Sequence, residues 1–227
     1  MSHVRENLSV LAAGEKRALI WLAERLPPWV DSDRLSAVGL ASMLAAGVSF
    51  AALQFTPWAA LAVVVCLAAN WFGDSLDGTV ARVRGQQRPR YGFYVDHVID
   101  LAGTTALLLC LACSSAMDPL LAVGVLAAYL LVSGESYLAT HSVGVFRMSF
   151  LGVGPTELRI LLAAGALKIA QTPLVEVPVL GAVLLFDLGG VIAIGGLGMA
   201  FVASAVSNTR TLYLAEPLPV PDARRAA

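Results

Sequence analysis

Long apolar runs separated by short polar breaks divide most of the chain into segments about as long as a membrane is thick. A helix that crosses the hydrocarbon core needs about 20 residues. Six runs approach that length, and the breaks between them are rich in Pro, Ser and Asp, which favour turns. The predicted spans are residues 35–54, 57–82, 92–113, 119–140, 156–171 and 188–207. The pattern therefore predicts an all-α, polytopic membrane protein with six transmembrane helices.

The first 34 residues carry a different pattern, in which apolar and charged positions share one helix. Leu8, Leu11, Leu19 and Leu22 fall near one face of a helix predicted over residues 3–26, which Pro27 and Pro28 end. This helix either lies in the membrane interface or caps the bundle as a soluble element. The predicted organisation is an amphipathic helix with its connector, a six-helix transmembrane domain, and a disordered Pro-containing tail, over residues 1–34, 35–210 and 211–227.

Composition supports membrane insertion. Of the 227 residues, 58% are hydrophobic and 14% are charged, with a mean hydropathy of +0.76. Soluble proteins carry about 25% charged residues, so a soluble globular domain is excluded. We expect a membrane partner and no nucleic acid.

The distribution of basic residues predicts the orientation. With the N-terminus inside, fourteen of the fifteen Lys and Arg residues fall in cytoplasmic segments, and Lys168 lies on the outer side. The positive-inside rule then places both termini and the polar turn between spans two and three in the cytoplasm. We expect the membrane to be the bacterial inner membrane.

The candidate chemistry lies around that turn, where four aspartates stand at positions 74, 77, 96 and 100. A carboxylate at the bilayer centre costs about 2.5–3.5 kcal/mol on insertion scales, so four of them need cations or nearby water. Asp74 and Asp77 lie near the end of one predicted helix, and Asp96 and Asp100 lie at i and i+4 near the start of the next. Carboxylates without a His or Cys cluster favour Mg²⁺ or Mn²⁺ over zinc, and four of them can hold two ions.

Small residues and an arginine accompany the aspartates. Gly78 costs about 1 kcal/mol relative to Ala inside a helix, which indicates either close approach of a ligand or tight helix packing. Ala81 extends the same surface, and Arg82 either offers a fork to a phosphate or marks the topology. His97, beside Asp96, points about 100° away from it, which favours packing over ligation.

These residues form the pattern D74-x2-D77-G78-x2-A81-R82 followed by G92-x3-D96-x3-D100, with nine residues between Arg82 and Gly92 where eight are expected. The pattern resembles the signature of the CDP-alcohol phosphotransferase family, also called CDP-alcohol phosphatidyltransferases. The resemblance implies transfer of a substituted phosphate from a CDP-alcohol to an acceptor alcohol, with release of CMP and two divalent ions. It implies that Asp74, Asp77, Asp96 and Asp100 hold metal, that Asp100 is the catalytic base, and that Asp74, Gly78, Ala81, Arg82 and Gly92 contact the nucleotide.

The substrates are left open by the sequence. Residues 26–40, and the E135-S-Y-L-A-T-H141 and G154-P-T-E157 segments, are similar to the choline/ethanolamine-phosphotransferase branch of the family. The competing branch uses CDP-diacylglycerol and a small polar alcohol, for whose phosphate Arg147 and Arg159 are available. The acceptor-side candidates are Glu135, His141, Glu157 and Arg159, although Glu157 also suits a helix cap.

A function other than an enzyme is an alternative interpretation of the aspartates. A cation transporter also uses intramembrane aspartates, but it does not require the Gly78–Ala81–Arg82 surface.

Gly196, Ala200 and Ser204 form a small-residue stripe that serves either packing within the bundle or a homodimer.

Overall fold

The computed structural model describes residues 4–6, 12–147, 154–178, 181–216 and 218, and within them the chain is mainly helical. The helices are α1 (Ala12–Arg25), α2 (Ser32–Ala52), α3 (Ala59–Val83), α4 (Pro89–Ala112), α5 (Pro119–Ser142), α6 (Pro155–Ile169) and α7 (Leu185–Ala215). Four short strands accompany them: β1 (Val4–Glu6), β2 (Val145–Arg147), β3 (Leu174–Val177) and β4 (Gly181–Leu184). The predicted all-α class is confirmed.

Five helices, α2, α3, α4, α5 and α7, are long and apolar enough to cross a membrane. The protein is therefore an integral membrane protein. The fifth predicted span, residues 156–171, corresponds to α6, which has 15 residues. At 1.5 Å per residue that helix is about 22 Å long, shorter than a hydrocarbon core of about 30 Å.

The N-terminal segment differs from the predicted continuous helix over residues 3–26. Val4–Glu6 form β1, which pairs in parallel with β2 in the connection between α5 and α6, with Val4 opposite Val145. Helix α1 begins only at Ala12. The helix prediction was wrong at residues 4–6, where the backbone hydrogen bonds run to a segment about 140 positions away. The predicted face residues Leu8 and Leu11 lie outside the described residues.

Helix α2 is the central packing element, because it contacts both α3 and α4. It begins at Ser32, three residues before the predicted span: Asp31 is the N-cap and accepts a hydrogen bond from the backbone N–H of Arg34 at 2.8 Å. At the α2–α3 contact a Cβ added to Gly73 would lie 2.5 Å from the Gly39 nitrogen and 2.6 Å from the Leu35 oxygen. The two backbones therefore touch directly beside Asp74.

The apolar core lies between α2, α3, α4 and α5, with residues from α6 completing it. Its fully buried members include Phe50, Val63, Leu67, Leu107, Leu111, Ala122 and Ala166. The ring of Phe186, at the start of α7, packs edge-on against Phe50 with centroids 5.6 Å apart. This core fixes the membrane helices that carry the site.

Helix α1 docks on the outside of α2 and α3. Leu19 and Ala23 pack against Leu35, Leu76 and Val80. The guanidinium of Arg84 reaches the end of α1 and donates hydrogen bonds to backbone carbonyls of Leu26, Pro27 and Val30, at 3.0, 3.1 and 2.6 Å. It thereby joins the end of α3 to the connection between α1 and α2. Trp21 on the same helix remains exposed.

Helix α7 begins at Leu185, three residues before the predicted span 188–207, with Asp187 in its first turn. The Asp187 carboxylate accepts a hydrogen bond of 2.7 Å from the backbone N–H of Asp118, which itself caps α5. At the other end α7 continues to Ala215, so residues 211–215 extend the helix past the predicted start of the tail. Ser204, at one end of the predicted small-residue stripe, is buried within this chain. The segment before α7 contains an antiparallel pair, β3 and β4.

Candidate active site

Three carboxylates from two helices meet at one place. Asp74 lies in α3, nine residues before its end at Val83, and Asp96 and Asp100 lie seven and eleven residues into α4. Each offers an oxygen, and these oxygens lie within 4.8 Å of one another. Three of the four aspartates predicted to lie together are thus brought together. All three side chains are partly buried, and within the described part of the chain they form the group with ligand geometry.

Asp77 has its carboxylate directed elsewhere. One oxygen accepts a hydrogen bond of 2.5 Å from the Ser36 hydroxyl in α2, and the other accepts from the backbone N–H of Gly78. Asp77 is therefore outside the group of three, although it lies less than one helical turn from Asp74. The sequence analysis predicted that all four carboxylates lie together. Helical spacing gives the face and the depth of each residue, but it does not identify the partner of its side chain.

A buried arginine completes the site from α6. Arg159 forms an ion pair with Asp74, and its Nε donates to the side-chain oxygen of Asn70 at 2.7 Å. The Asn70 amide in turn donates to the Gly39 carbonyl at 2.8 Å. Arg159 and Asn70 are both buried. This chain of polar contacts joins α2, α3 and α6 beside the carboxylates, and each polar group in it has a partner.

The small residues of the motif face open space. A Cβ added to Gly78 would meet only the Arg82 guanidinium, at 3.4 Å, and one added to Gly92 would meet nothing within 4 Å. Tight helix packing therefore does not explain Gly78. Arg82 donates a hydrogen bond of 2.8 Å to Thr79 one turn earlier, and Ala81 is partly buried. These residues lie on the α3 segment that leads from the carboxylates into the turn.

The remaining acceptor-side candidates have different surroundings. Glu135 accepts a hydrogen bond of 2.7 Å from Asn208 in α7. Glu157 accepts one of 3.0 Å from the Gly154 backbone N–H, so it caps α6. His141 is exposed in the last turn of α5. Only Arg159 of the four contacts one of the three carboxylates.

His97 has the packing environment predicted for it. Its ring stacks on Phe93 with centroids 4.1 Å apart and meets Tyr137 edge-on at 5.1 Å. Its Nδ1 lies 2.7 Å from the Phe93 carbonyl. The ring is held between α4 and α5, where its Nδ1 lies 3.6 Å from a carboxylate oxygen of Asp96, and it lies outside the group of three carboxylates.

Two residues of the polar network escaped the sequence analysis. Asn70 stands in the apolar first half of α3, and Ser36 stands in the first turns of α2. The signal for Asn70 was available, because a polar amide in an apolar span must find a partner. Ser36 carried no such signal, since a single Ser is common in membrane helices.

Fold and site together define a polytopic membrane protein with an all-carboxylate cluster between two of its spans. Residues 36–204 match the sequence model of the CDP-alcohol phosphatidyltransferases, and the chain belongs to that family. The family prediction is confirmed.

A solved relative supports the fold. The chain is similar to the crystal structure of Mycobacterium tuberculosis phosphatidylinositol phosphate synthase (PgsA1) with CDP-DAG bound, with a TM-score of 0.57 and 18% identity. The similarity covers 90% of this chain and 100% of the other. At this identity it establishes the fold alone. No sequence among curated proteins matches this chain.

Proposed function

We propose that the protein is an enzyme of phospholipid synthesis that transfers a substituted phosphate from a CDP-alcohol to an acceptor alcohol and releases CMP. The observation that carries the proposal is the meeting of Asp74, Asp96 and Asp100 within a sequence that matches the family model. Family membership supports the reaction class, and the carboxylate group supports the chemistry.

The donor set fits a hard divalent ion. Asp74, Asp96 and Asp100 offer only oxygen ligands, and no His or Cys joins them in the described residues. Such a set suits Mg²⁺ or Mn²⁺. When bound, a divalent ion would neutralise charge on the diphosphate and on the attacking oxygen. Asp77 would contribute to a second ion by exchanging its hydrogen bond from Ser36 for a metal contact.

The chain's own residues divide the remaining work. Asp100 would accept the proton of the acceptor hydroxyl as that oxygen bonds to the phosphorus distal to cytidine. The bond from this phosphorus to the bridging oxygen then breaks, and CMP leaves with the bonding electrons. Gly78, Ala81 and Gly92 would leave room for the nucleotide, and Arg82 would contact its phosphates.

The acceptor side is proposed for the region of α6 that contacts the carboxylates. Arg159 is kept as an acceptor-side candidate, because its guanidinium forms an ion pair with Asp74 in the carboxylate group. Glu135 and Glu157 have bonds to Asn208 and Gly154, and His141 is an exposed candidate in the last turn of α5. Two pairs of substrates remain to be distinguished: CDP-diacylglycerol with a polar alcohol, and CDP-choline or CDP-ethanolamine with diacylglycerol.

The orientation is part of the proposal. The bias of basic residues toward one side supports cytoplasmic termini and a cytoplasmic active site, in a bacterial inner membrane. The carboxylates lie on the half of α3 and α4 next to the connecting turn, which is the end that carries Arg82, Arg84, Arg88 and Arg90.

The test is CMP release by purified protein in detergent with Mg²⁺ or Mn²⁺. One arm receives CDP-diacylglycerol with a panel of polar alcohols, including phosphorylated ones. The other arm receives CDP-choline or CDP-ethanolamine with diacylglycerol. Release in one arm, lost in Asp100→Asn, identifies the reaction and the branch together.

The proposal is overturned if folded, metal-binding protein releases no CMP and CDP-linked compounds do not compete for its site. Ion flux in proteoliposomes under those conditions would favour the transporter alternative instead.

A further inference from the structure

Glu15 joins three helices through one carboxylate. Its Oε1 accepts hydrogen bonds of 2.7 Å from the Trp71 indole N–H in α3 and of 2.7 Å from the Thr156 hydroxyl in α6. The Ser75 hydroxyl of α3 lies at the hydrogen-bond limit of 3.5 Å. Glu15 itself belongs to α1 and is partly buried. A peripheral helix thus supplies the acceptor for donors on two membrane helices.

The donors lie next to residues of the candidate active site. Trp71 and Ser75 are one helical turn apart on α3 and flank Asp74 in sequence. Thr156 is three residues, about one turn, before Arg159 on α6. Two sets of polar contacts therefore join α3 and α6. In the first, Arg159 bonds Asp74 and Asn70. In the second, which we call the Glu15 tie, Glu15 accepts hydrogen bonds from Trp71 and Thr156.

A second observation places the N-terminal segment against the same part of the fold. Strand β1 pairs with β2, which lies in the connection leading to α6. The segment before α1 thus contacts the connection between α5 and α6, and the helix itself contacts α6 through Glu15 and Thr156. Apolar packing of Leu19 and Ala23 also holds α1 on α3, but that contact allows sliding, whereas hydrogen bonds to a carboxylate are directional.

We propose that Glu15 is a positioning residue, which fixes the start of α6 against α3 and thereby holds Arg159 beside Asp74. Hydrogen bonds to a charged acceptor are roughly twice as strong as neutral ones, so the tie is well suited to set this distance. The effect on transfer rests on the proposed function, whereas the tie itself can be measured without any activity.

The tie is tested first by fluorine NMR. Protein labelled with 5-fluorotryptophan has four fluorinated positions, and Trp71→Phe assigns the resonance of interest. Glu15→Ala is expected to shift the Trp71 resonance, and Thr156→Val to shift it less. Glu24→Ala removes an exposed carboxylate from the same helix and is expected to leave it unmoved. An unmoved resonance in Glu15→Ala overturns the proposal.

The consequence for catalysis is tested by separating kcat from KM for CMP release. Glu15→Ala is expected to lower kcat about tenfold, corresponding to one hydrogen bond to a charged group, with KM for the CDP-alcohol within about twofold. Glu15→Gln keeps an acceptor oxygen and is expected to retain most of kcat. Glu24→Ala is expected to match the unmodified protein.

A double-mutant cycle tests whether Glu15 acts through Arg159. In an Arg159→Lys background, Glu15→Ala is expected to change kcat less than about twofold, because the guanidinium that Glu15 positions is gone. A full tenfold effect in that background overturns the proposal, as does an equal kcat in Glu15→Ala and the unmodified protein. If Glu15→Ala does not fold, Thr156→Val, which removes one donor to Glu15, takes its place in these comparisons, with Glu15→Gln as the conservative variant. Absence of CMP release from the unmodified protein would contradict the proposed function. The fluorine spectra would still show whether Glu15 bonds Trp71.

Discussion

Arg159 and Asp74 form an ion pair that joins α6 to α3 at the edge of the carboxylate group. Both side chains are largely buried, at 10% and 20% exposure. The pair places a fixed positive charge on one of three carboxylates that would otherwise repel one another. The negative charge of Asp74, a proposed metal ligand, is thus already balanced by the guanidinium of Arg159.

This pairing predicts a metal-dependent stability defect. Arg159→Met leaves Asp74 without its partner, and breaking a buried pair in this way costs about 3–5 kcal/mol. A divalent ion at the carboxylates would offset the loss. We expect the Tm of Arg159→Met to fall in EDTA and to recover with Mn²⁺ by more than that of the unmodified protein. Lys168→Met, on the exposed side of α6, serves as the control and should show neither effect.

The carboxylate group predicts the opposite behaviour for Asp100→Asn. Neutralising one of three neighbouring acids relieves repulsion, so we expect a Tm in EDTA no lower than that of the unmodified protein. CMP release should nevertheless fall by at least about 100-fold, the usual effect of losing a general base. Glu216→Gln, at an exposed position, should leave release intact. A destabilised but active Asp100→Asn protein would contradict the assignment.

The separate position of Asp77 predicts a change in stoichiometry. Since its carboxylate bonds Ser36 and lies outside the group of three, we expect it to serve a second ion only. Equilibrium dialysis should detect two Mn²⁺ ions per unmodified chain and one per Asp77→Asn chain. Loss of both ions in that variant would show instead that Asp77 belongs with the other three.

The surroundings of Gly78 predict a binding defect without a folding defect. An added Cβ meets only the flexible end of Arg82, so Gly78→Ala should fold, with helix propensity improved by up to about 1 kcal/mol. If the nucleotide approaches this backbone, KM for the CDP-alcohol should rise about tenfold or more. Gly73→Ala is the contrasting variant, because its Cβ would collide with backbone atoms and lower Tm. An unchanged KM in Gly78→Ala would refute close approach.

The sequence contained most of the fold and part of the site. Apolar runs located the long helices, because lipid requires an unbroken apolar segment of fixed length. Helical spacing placed Asp74, Asp96 and Asp100 toward one another.

Contacts between distant segments did not follow. Glu15 and Thr156 are 141 positions apart, and the pairing of Val4 with Val145 spans a similar distance. Periodicity assigns a residue to a face, but its partner depends on how the helices pack. The same limit explains Asp77, whose bond to Ser36 depends on the closeness of α2 and α3.

That closeness has a mechanical consequence. With no side chain between Gly39 and Gly73, the backbones of α2 and α3 already touch and cannot approach further. This close contact fixes the separation of α2 and α3 beside Asp74. A change in the spacing of the three carboxylates would therefore come from α4, which carries Asp96 and Asp100, rather than from α2 moving closer to α3.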